Sequence, residues 1–213
     1  LTNDVTASGA NLTFANTIGG AQSLALNSSG VTTLNGAVGT AGTRLTSLTT
    51  NGVGTTQIGA NVLTSGDITI ADTLTLLTNV TLDSSNGSVS LASVSSPTRN
   101  LAINTPGATN LAGTIAVNSL TTDGTGTLNL AGSLTTSNTA LTLGEAVNLT
   151  GATTIATGTG NLTFNNTIDG AQSLTLNSAG VTDINGVVTV ASLTTDAAGT
   201  TNLDANITTS GAL

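Results

Sequence analysis

The sequence predicts an all-β parallel solenoid built from a repeat of about 73 residues. Three observations point there: self-similarity along the chain, short strand-like triplets of period two, and a composition that can fill only a thin core.

The self-similarity is strongest between residues 11–24, NLTFANTIGGAQSL, and residues 161–174, NLTFNNTIDGAQSL, where twelve of fourteen positions agree at an offset of 150. A second anchor, SLTT, begins at Ser47, Ser119 and Ser192, at spacings of 72 and 73. The chain therefore divides into a partial unit over 1–46, whole units over 47–118 and 119–191, and a partial unit over 192–213, together forming one continuous solenoid. Weaker matches fill the middle copy: INTPGATNLAG from Ile103 corresponds to LNSAGVTDING from Leu176. Phe14 and Phe164 share a position that Leu91 occupies in that copy.

Inside the unit, apolar-polar-apolar triplets alternate with Gly, Asn or Asp. From Asn161 they read NLTF, SLTL, VTDI, VVTVA, SLTT, TTNL and NITT, separated by turn-forming pairs such as NG, AG, DG and SG. Alternation directs Leu12, Phe14, Leu24, Leu26, Leu162, Phe164, Leu174, Leu176, Leu193 and Leu203 inward, and Thr13, Thr163, Thr175 and Thr194 outward. Segments this short cannot bury an apolar face alone, but stacked copies can. A parallel solenoid is preferred to an antiparallel sandwich because constant segment lengths would put like residues in register along the stack. At roughly 20 to 25 residues per rung, a unit makes three to four rungs and the chain nine or ten, a rod on the order of 45 Å long at about 4.8 Å per rung.

The apolar set is Leu, Val, Ile and Ala with two Phe and no Trp, Tyr or Met, which leaves nothing bulky for a broad interior. Thr, Ser, Asn and Gly dominate the rest and favour strands and turns over helices. Regular aliphatic spacing and a positive mean hydropathy separate the chain from disordered sequences of similar polarity. Charged residues make up 6% of the chain, which suits stacking, since like charges one rung apart repel whereas Thr, Ser and Asn ladders do not.

That inventory also bounds function. The net charge is −8, with Arg44 and Arg99 as the cationic side chains, so no basic patch is available for nucleic acid or an anionic membrane surface. His, Cys and Lys are absent, and no catalytic, cofactor-binding or metal-binding residue is assigned. Asp67 with Asp72, or Asp196 with Asp204, could be imagined as calcium ligands, but they sit among turn residues where Asp caps its own backbone. Gly52 to Gly54 and Gly158 to Gly160 resemble phosphate loops but lack a Lys and a following helix, so they read as turns. Sequons at Asn11, Asn27, Asn79, Asn148, Asn161 and Asn206 arise by chance in a chain so rich in Asn and Thr.

No signal peptide, lipidation motif or apolar run approaching a membrane span is visible, and export and anchoring signals are expected elsewhere in a longer polypeptide. Neither Leu1 nor Leu213 carries a polar cap, so the polypeptide is expected to continue there or to dock another copy.

With NLTFNNTIDGAQSLTLNSAG from Asn161, SLTTDAAGTTNL from Ser192 and VTTLNGAVG from Val31, the chain resembles the long repeat tracts of filamentous-haemagglutinin-like large bacterial surface proteins. The resemblance implies a right-handed parallel β-helix, export across the outer membrane, a place on the cell surface or in the extracellular matrix, and binding activity often held by other modules. The expected role is the stalk of an adhesin, a stiff non-catalytic spacer without cofactors. The alternative is a self-associating matrix or biofilm filament, joined end to end or side by side, and an ice-binding solenoid carried by the Thr rows is a distant third. No membrane insertion or nucleic acid partner is expected, and any surface ligand is unidentified.

Overall fold

In the computed structural model, which describes residues 1–196 and 198–211, the chain winds into a three-sided parallel β-solenoid of about ten turns. Each turn takes about 20 residues and lays one short strand on each of three faces. The first face is unbroken: Val5 pairs with Leu24, Leu24 with Leu48, and the register continues through Ile68, Val89, Thr109, Leu128, Val147, Ile168 and Val188 to Ile207. The second face runs through Leu12, Thr32, Thr56, Leu74, Val94, Ile115, Leu134, Ile155, Leu176 and Thr195. The third runs from Ile18 through Val38, Val62, Leu82 and Ile103 to Thr122, then again from Leu141 through Leu162 and Thr182 to Thr201.

Period-two alternation explains this arrangement locally. In Ser23–Ser28 the side chains of Leu24, Leu26 and Ser28 are buried while those between them are not, and Ile68–Leu76 repeats the pattern over nine residues. The interior is a narrow aliphatic column, with Phe164 as its largest fully buried side chain. Parallel in-register stacking suits it because most inward Leu, Val and Ile lie over another aliphatic one rung away, with inward Thr such as Thr32, Thr56 and Thr109 interleaved, and the faces are close enough for side chains of this size to meet.

The repeat does not stack in register with itself, contrary to the expectation from its constant segment lengths. Leu48, Leu120 and Leu193 hold the same position in the SLTT anchors spaced 72 and 73 residues apart, yet they lie on the first, third and second faces respectively; a further SLTT at Ser133, outside that spacing, lies on the second face. Phe14, Leu91 and Phe164 likewise fall on the second, first and third faces. One copy spans eleven faces, or three and two-thirds turns, so each copy starts one face behind its predecessor. Register along the stack is held by the 20-residue turn, not by the 73-residue unit.

Corners absorb the length differences. Between Val38 and Leu45 an extra loop is closed by Thr40 and Thr43, whose backbones exchange hydrogen bonds of 3.1 Å. At Gly54, φ is +88°, and an added Cβ would strike the carbonyl oxygen of Gly30 in the adjacent rung, so the corner needs glycine twice over. A corner need not interrupt a strand: Asp169 and Gly170 lie inside the strand Ile168–Ser178, which bends there from the first face to the second, with Gly170 at a φ of +126°. The expected separate segments VVTVA and SLTT also join, as the strand Val188–Thr195.

Candidate functional surfaces

The residues singled out from the sequence are placed as follows. Leu24, Leu26, Leu162, Phe164, Leu174, Leu176 and Leu193 are buried in the column. Leu12 and Phe14 are half-buried, packed against it in the first rung. Leu203 is a correction: it stacks on buried Ile184, but it is 51% exposed because no described rung covers it on the other side. Thr13 and Thr194 are exposed, whereas Thr163 and Thr175 are half-buried, since side chains in adjacent rungs shield one another on the outside too. Leu213 lies outside the described residues.

The outer surface is built from ladders. On the first face Asn148 donates its amide to Asn129 Oδ1 at 2.9 Å, Asn129 to Asn110 Oδ1 at 2.7 Å, and Asn110 to Ser90 Oγ at 2.9 Å. On the second face Thr73 and Ser93 share a 2.9 Å hydrogen bond, and Ser133, Thr154, Thr175 and Thr194 continue in register. Beside that row, the register through Thr135 places Ala116 before it and Ala156 after it. The hydroxyl array is therefore one column wide over much of its length.

The acidic residues are largely spoken for. Asp67 Oδ1 accepts the backbone N–H of Ser88 at 2.8 Å, and Asp123 accepts those of Thr105 and Thr125 at 2.8 and 3.1 Å. Asp83 is clamped by Arg44, whose Nη1 lies 2.8 Å from Oδ1 and also donates at 3.2 Å to the carbonyls of Thr64 and Asp83. Arg44 emerges from the extra loop and thus ties three rungs together. Among the described residues no three acidic side chains gather as a ligand set. Gly158 to Gly160 forms a corner in which Thr157 Oγ1 donates to Gly160 O at 2.7 Å, and Thr159 N donates to Asn138 Oδ1 at 3.2 Å. Gly52 to Gly54 is likewise a corner, beside Asn51, which receives Ser28 N and donates to Ser28 O, both at 3.0 Å.

The burial of two acids escaped sequence reasoning, and for Asp72 the structure corrects the turn-residue reading, since it lies inside the strand Ile68–Leu76. Asp72 is 5% exposed at a corner between the first and second faces, where Thr50 Oγ1 and Thr56 Oγ1 donate to its two oxygens at 3.1 and 3.0 Å. Burial raises its carboxyl above the ordinary aspartate value, and the two threonine hydrogen bonds oppose that rise without cancelling it. Glu145 is 2% exposed; Thr122 Oγ1 donates to its Oε2 at 2.8 Å, and its Oε1 has no hydrogen-bond partner.

A third missed class is the inward hydroxyl. Ser28, Thr105 and Ser178 hold the same place in the three copies, as LNSSG, INTPG and LNSAG, and all three are buried. Each donates to the carbonyl 18 residues upstream: Ala10, Gly87 and Gly160. The signal was a Ser or Thr two places before a Gly at the end of a triplet. The three lie at three different corners of the prism.

No known protein family, curated protein or solved structure matches the chain.

Proposed function

We propose that this chain is a stiff, non-catalytic rod, the spacer of a large secreted bacterial surface protein that carries an adhesive module away from the cell. The observation that carries the reading is the unbroken first-face ladder from Val5 to Ile207, in which every turn is hydrogen-bonded to the next. Such a ladder resists bending because flexing it would stretch main-chain hydrogen bonds on one face while compressing packed aliphatics on another. The surface supports the same reading: many of its polar groups satisfy one another in ladders and most of its acids accept from the protein's own donors, which suits a structural element more than a reaction centre.

The ice-binding alternative is disfavoured by geometry. A lattice match needs one flat face of regular hydroxyls, whereas the repeat distributes its SLTT threonines over three faces, and Ala116 and Ala156 interrupt the second-face array. Thermal hysteresis in purified protein would overturn this exclusion. Electron microscopy of the native material tests the spacer itself. Rods of uniform length rooted in a cell envelope are expected, and indefinite filaments with a regular axial repeat would replace the stalk with a self-assembling matrix fibre.

A further inference from the structure

We infer that Asn35 is a site of spontaneous chemical modification, cyclising onto the main-chain nitrogen of Gly36 and deamidating, while the fold holds back the other Asn-Gly pairs. Asn-Gly occurs four times, at Asn35, Asn51, Asn86 and Asn185, each between strands. Asparagine is among the thermolabile residues, and a following Gly carries no side chain to obstruct ring closure. The reaction needs two freedoms: the Asn carboxamide must swing back over its own main chain, and the next N–H must not be committed to a hydrogen bond.

Three of the pairs lack one or the other. Asn51 is fixed at both ends of its amide, receiving Ser28 N and donating to Ser28 O, both at 3.0 Å. At Asn86 the nucleophile is engaged, because Gly87 N donates to Ser84 Oγ at 2.8 Å. Asn185 Nδ2 donates to Asn165 Oδ1 at 3.1 Å, which ties the carboxamide to the adjacent rung. Asn35 is exposed, and among the described residues neither its side chain nor the Gly36 N–H has a hydrogen-bond partner.

Asn35 and Asn185 form a matched pair, since they occupy the same place in two copies. The N–H of Asn35 donates to Phe14 O at 2.9 Å, and that of Asn185 to Phe164 O at 3.0 Å. What differs is the residue stacked against the carboxamide. It is Asn165 in one copy and Ala15 in the other, one of the two differences between NLTFANTIGGAQSL and NLTFNNTIDGAQSL. Ala15 offers no acceptor, so the Asn35 carboxamide is left free.

The step balances with water as the only co-reactant. The Gly36 nitrogen gives its proton to water or hydroxide and attacks Asn35 Cγ; the new C–N bond closes a succinimide as the Cγ–Nδ2 bond breaks, and Nδ2 takes up a proton and leaves as ammonia. Water then opens the ring at either carbonyl, giving aspartate or β-linked isoaspartate at position 35. The β-linked product lengthens the main chain by one carbon in a corner with no slack, where even a Cβ added at Gly36 would strike the main chain of Asn16 and Thr17. Modification therefore loosens the contact between the first two rungs. This chemistry is the same for a spacer and for a filament, so its failure would leave the reading of the preceding subsection standing.

Peptide mapping tests it on the whole chain, incubated at mildly alkaline pH, quenched and digested with pepsin in acid, and read by mass spectrometry. Asn35 is expected to convert severalfold faster than Asn51, Asn86 and Asn185 in the folded protein, and the four rates are expected to converge in denaturant. Ala15→Asn should supply the missing acceptor and slow Asn35 towards the rate of Asn185, and Asn165→Ala should speed Asn185 towards that of Asn35. Circular dichroism verifies that each variant keeps its β-structure; if one loses it, the other carries the exchange. A folded-state rate at Asn35 no greater than at the other three sites, the same ranking in denaturant, or folded variants with parental rates would overturn the inference.

Discussion

Thr122 Oγ1 donates to Glu145 Oε2 at 2.8 Å across the interval where the third-face pairing stops at Thr122 and resumes at Leu141. The hydrogen bond links two rungs where the backbone ladder is interrupted, and it is the partner found for this buried carboxylate, whose second oxygen has none. Leaving one buried oxygen without a partner is costly, and a neutral amide at the same place costs less to bury. Glu145→Gln is therefore expected to be as stable as the parent or more so, with the Gln carbonyl still accepting from Thr122. Thr122→Val should cost about 1–3 kcal/mol by stripping the remaining donor. Chemical denaturation followed by circular dichroism measures both, and a marked loss in Glu145→Gln would mean that the charge itself is being used.

Asp72 gives the rod a pH dependence of unusual sign. Its folded-state pKa is raised, so between the ordinary aspartate value of 3.8 and the folded value the native chain binds more protons than the unfolded chain. Its contribution is then fully present below that ordinary value and is lost as pH rises through the folded pKa. Asp72→Asn is expected to flatten the stability profile on the acidic side and to gain relative stability at neutral pH, since a threonine hydroxyl can rotate to accept from the amide. Asp72→Val should destabilise at every pH, because the hydroxyls of Thr50 and Thr56 would lose their acceptor, at about 1–3 kcal/mol for each one left unpaired. Denaturation midpoints across pH 3 to 8 distinguish the two variants, and a parental slope in Asp72→Asn would remove Asp72 as its source.

Much of this architecture was legible in the residues, because alternation and self-similarity report directly on what a strand buries. Leu174, Leu176 and Phe164 could be assigned inward from their triplets alone, and the repeat length was readable from SLTT. What escaped was information carried by neighbouring rungs. Ser28 and Thr50 look like any other hydroxyl in a chain rich in them; only the carbonyl placed beside Ser28 by the preceding turn, or the carboxylate placed beside Thr50 by the next, makes them interior residues. Asp169 and Gly170 do mark a corner, as their turn propensity suggests, yet pairing with Thr189 and Val190 keeps them within one continuous strand, so the triplets do not show where a strand ends. The rotation of the repeat needed the turn length, which the triplets bracket only loosely.

The equivalence of the corners makes its own prediction. Ser28→Ala, Thr105→Val and Ser178→Ala each remove the donor to a carbonyl 18 residues upstream, and each is expected to cost about 1 kcal/mol, with Ser28 and Ser178 matching within error. Because a solenoid is coupled mainly to its nearest neighbours, the loss should appear locally. Amide exchange should quicken at Gly30 in Ser28→Ala and at Ala179 in Ser178→Ala while distant rungs stay protected. A cost confined to one of the three sites would mean that the corners are not interchangeable.

The last prediction separates position in the stack from position in the repeat. Phe14 and Phe164 are the same residue at the same place in two copies, but Phe164 is 1% exposed between Leu143 and Ile184, whereas Phe14 is half-buried in the first rung. A large-to-small change in a closed core loses both transfer energy and the contacts around the cavity, while a partly open site sheds less of each. Phe164→Ala is expected to cost about 3–5 kcal/mol. Phe14→Ala should cost clearly less, and Leu203→Ala, on the uncovered side of Ile184, less than about 1 kcal/mol. Denaturation of the three variants under one condition gives the order Phe164, Phe14, Leu203. Equal losses at the two phenylalanines would show that the copy sets the energetics, whereas the burial described here requires that the covering rungs do.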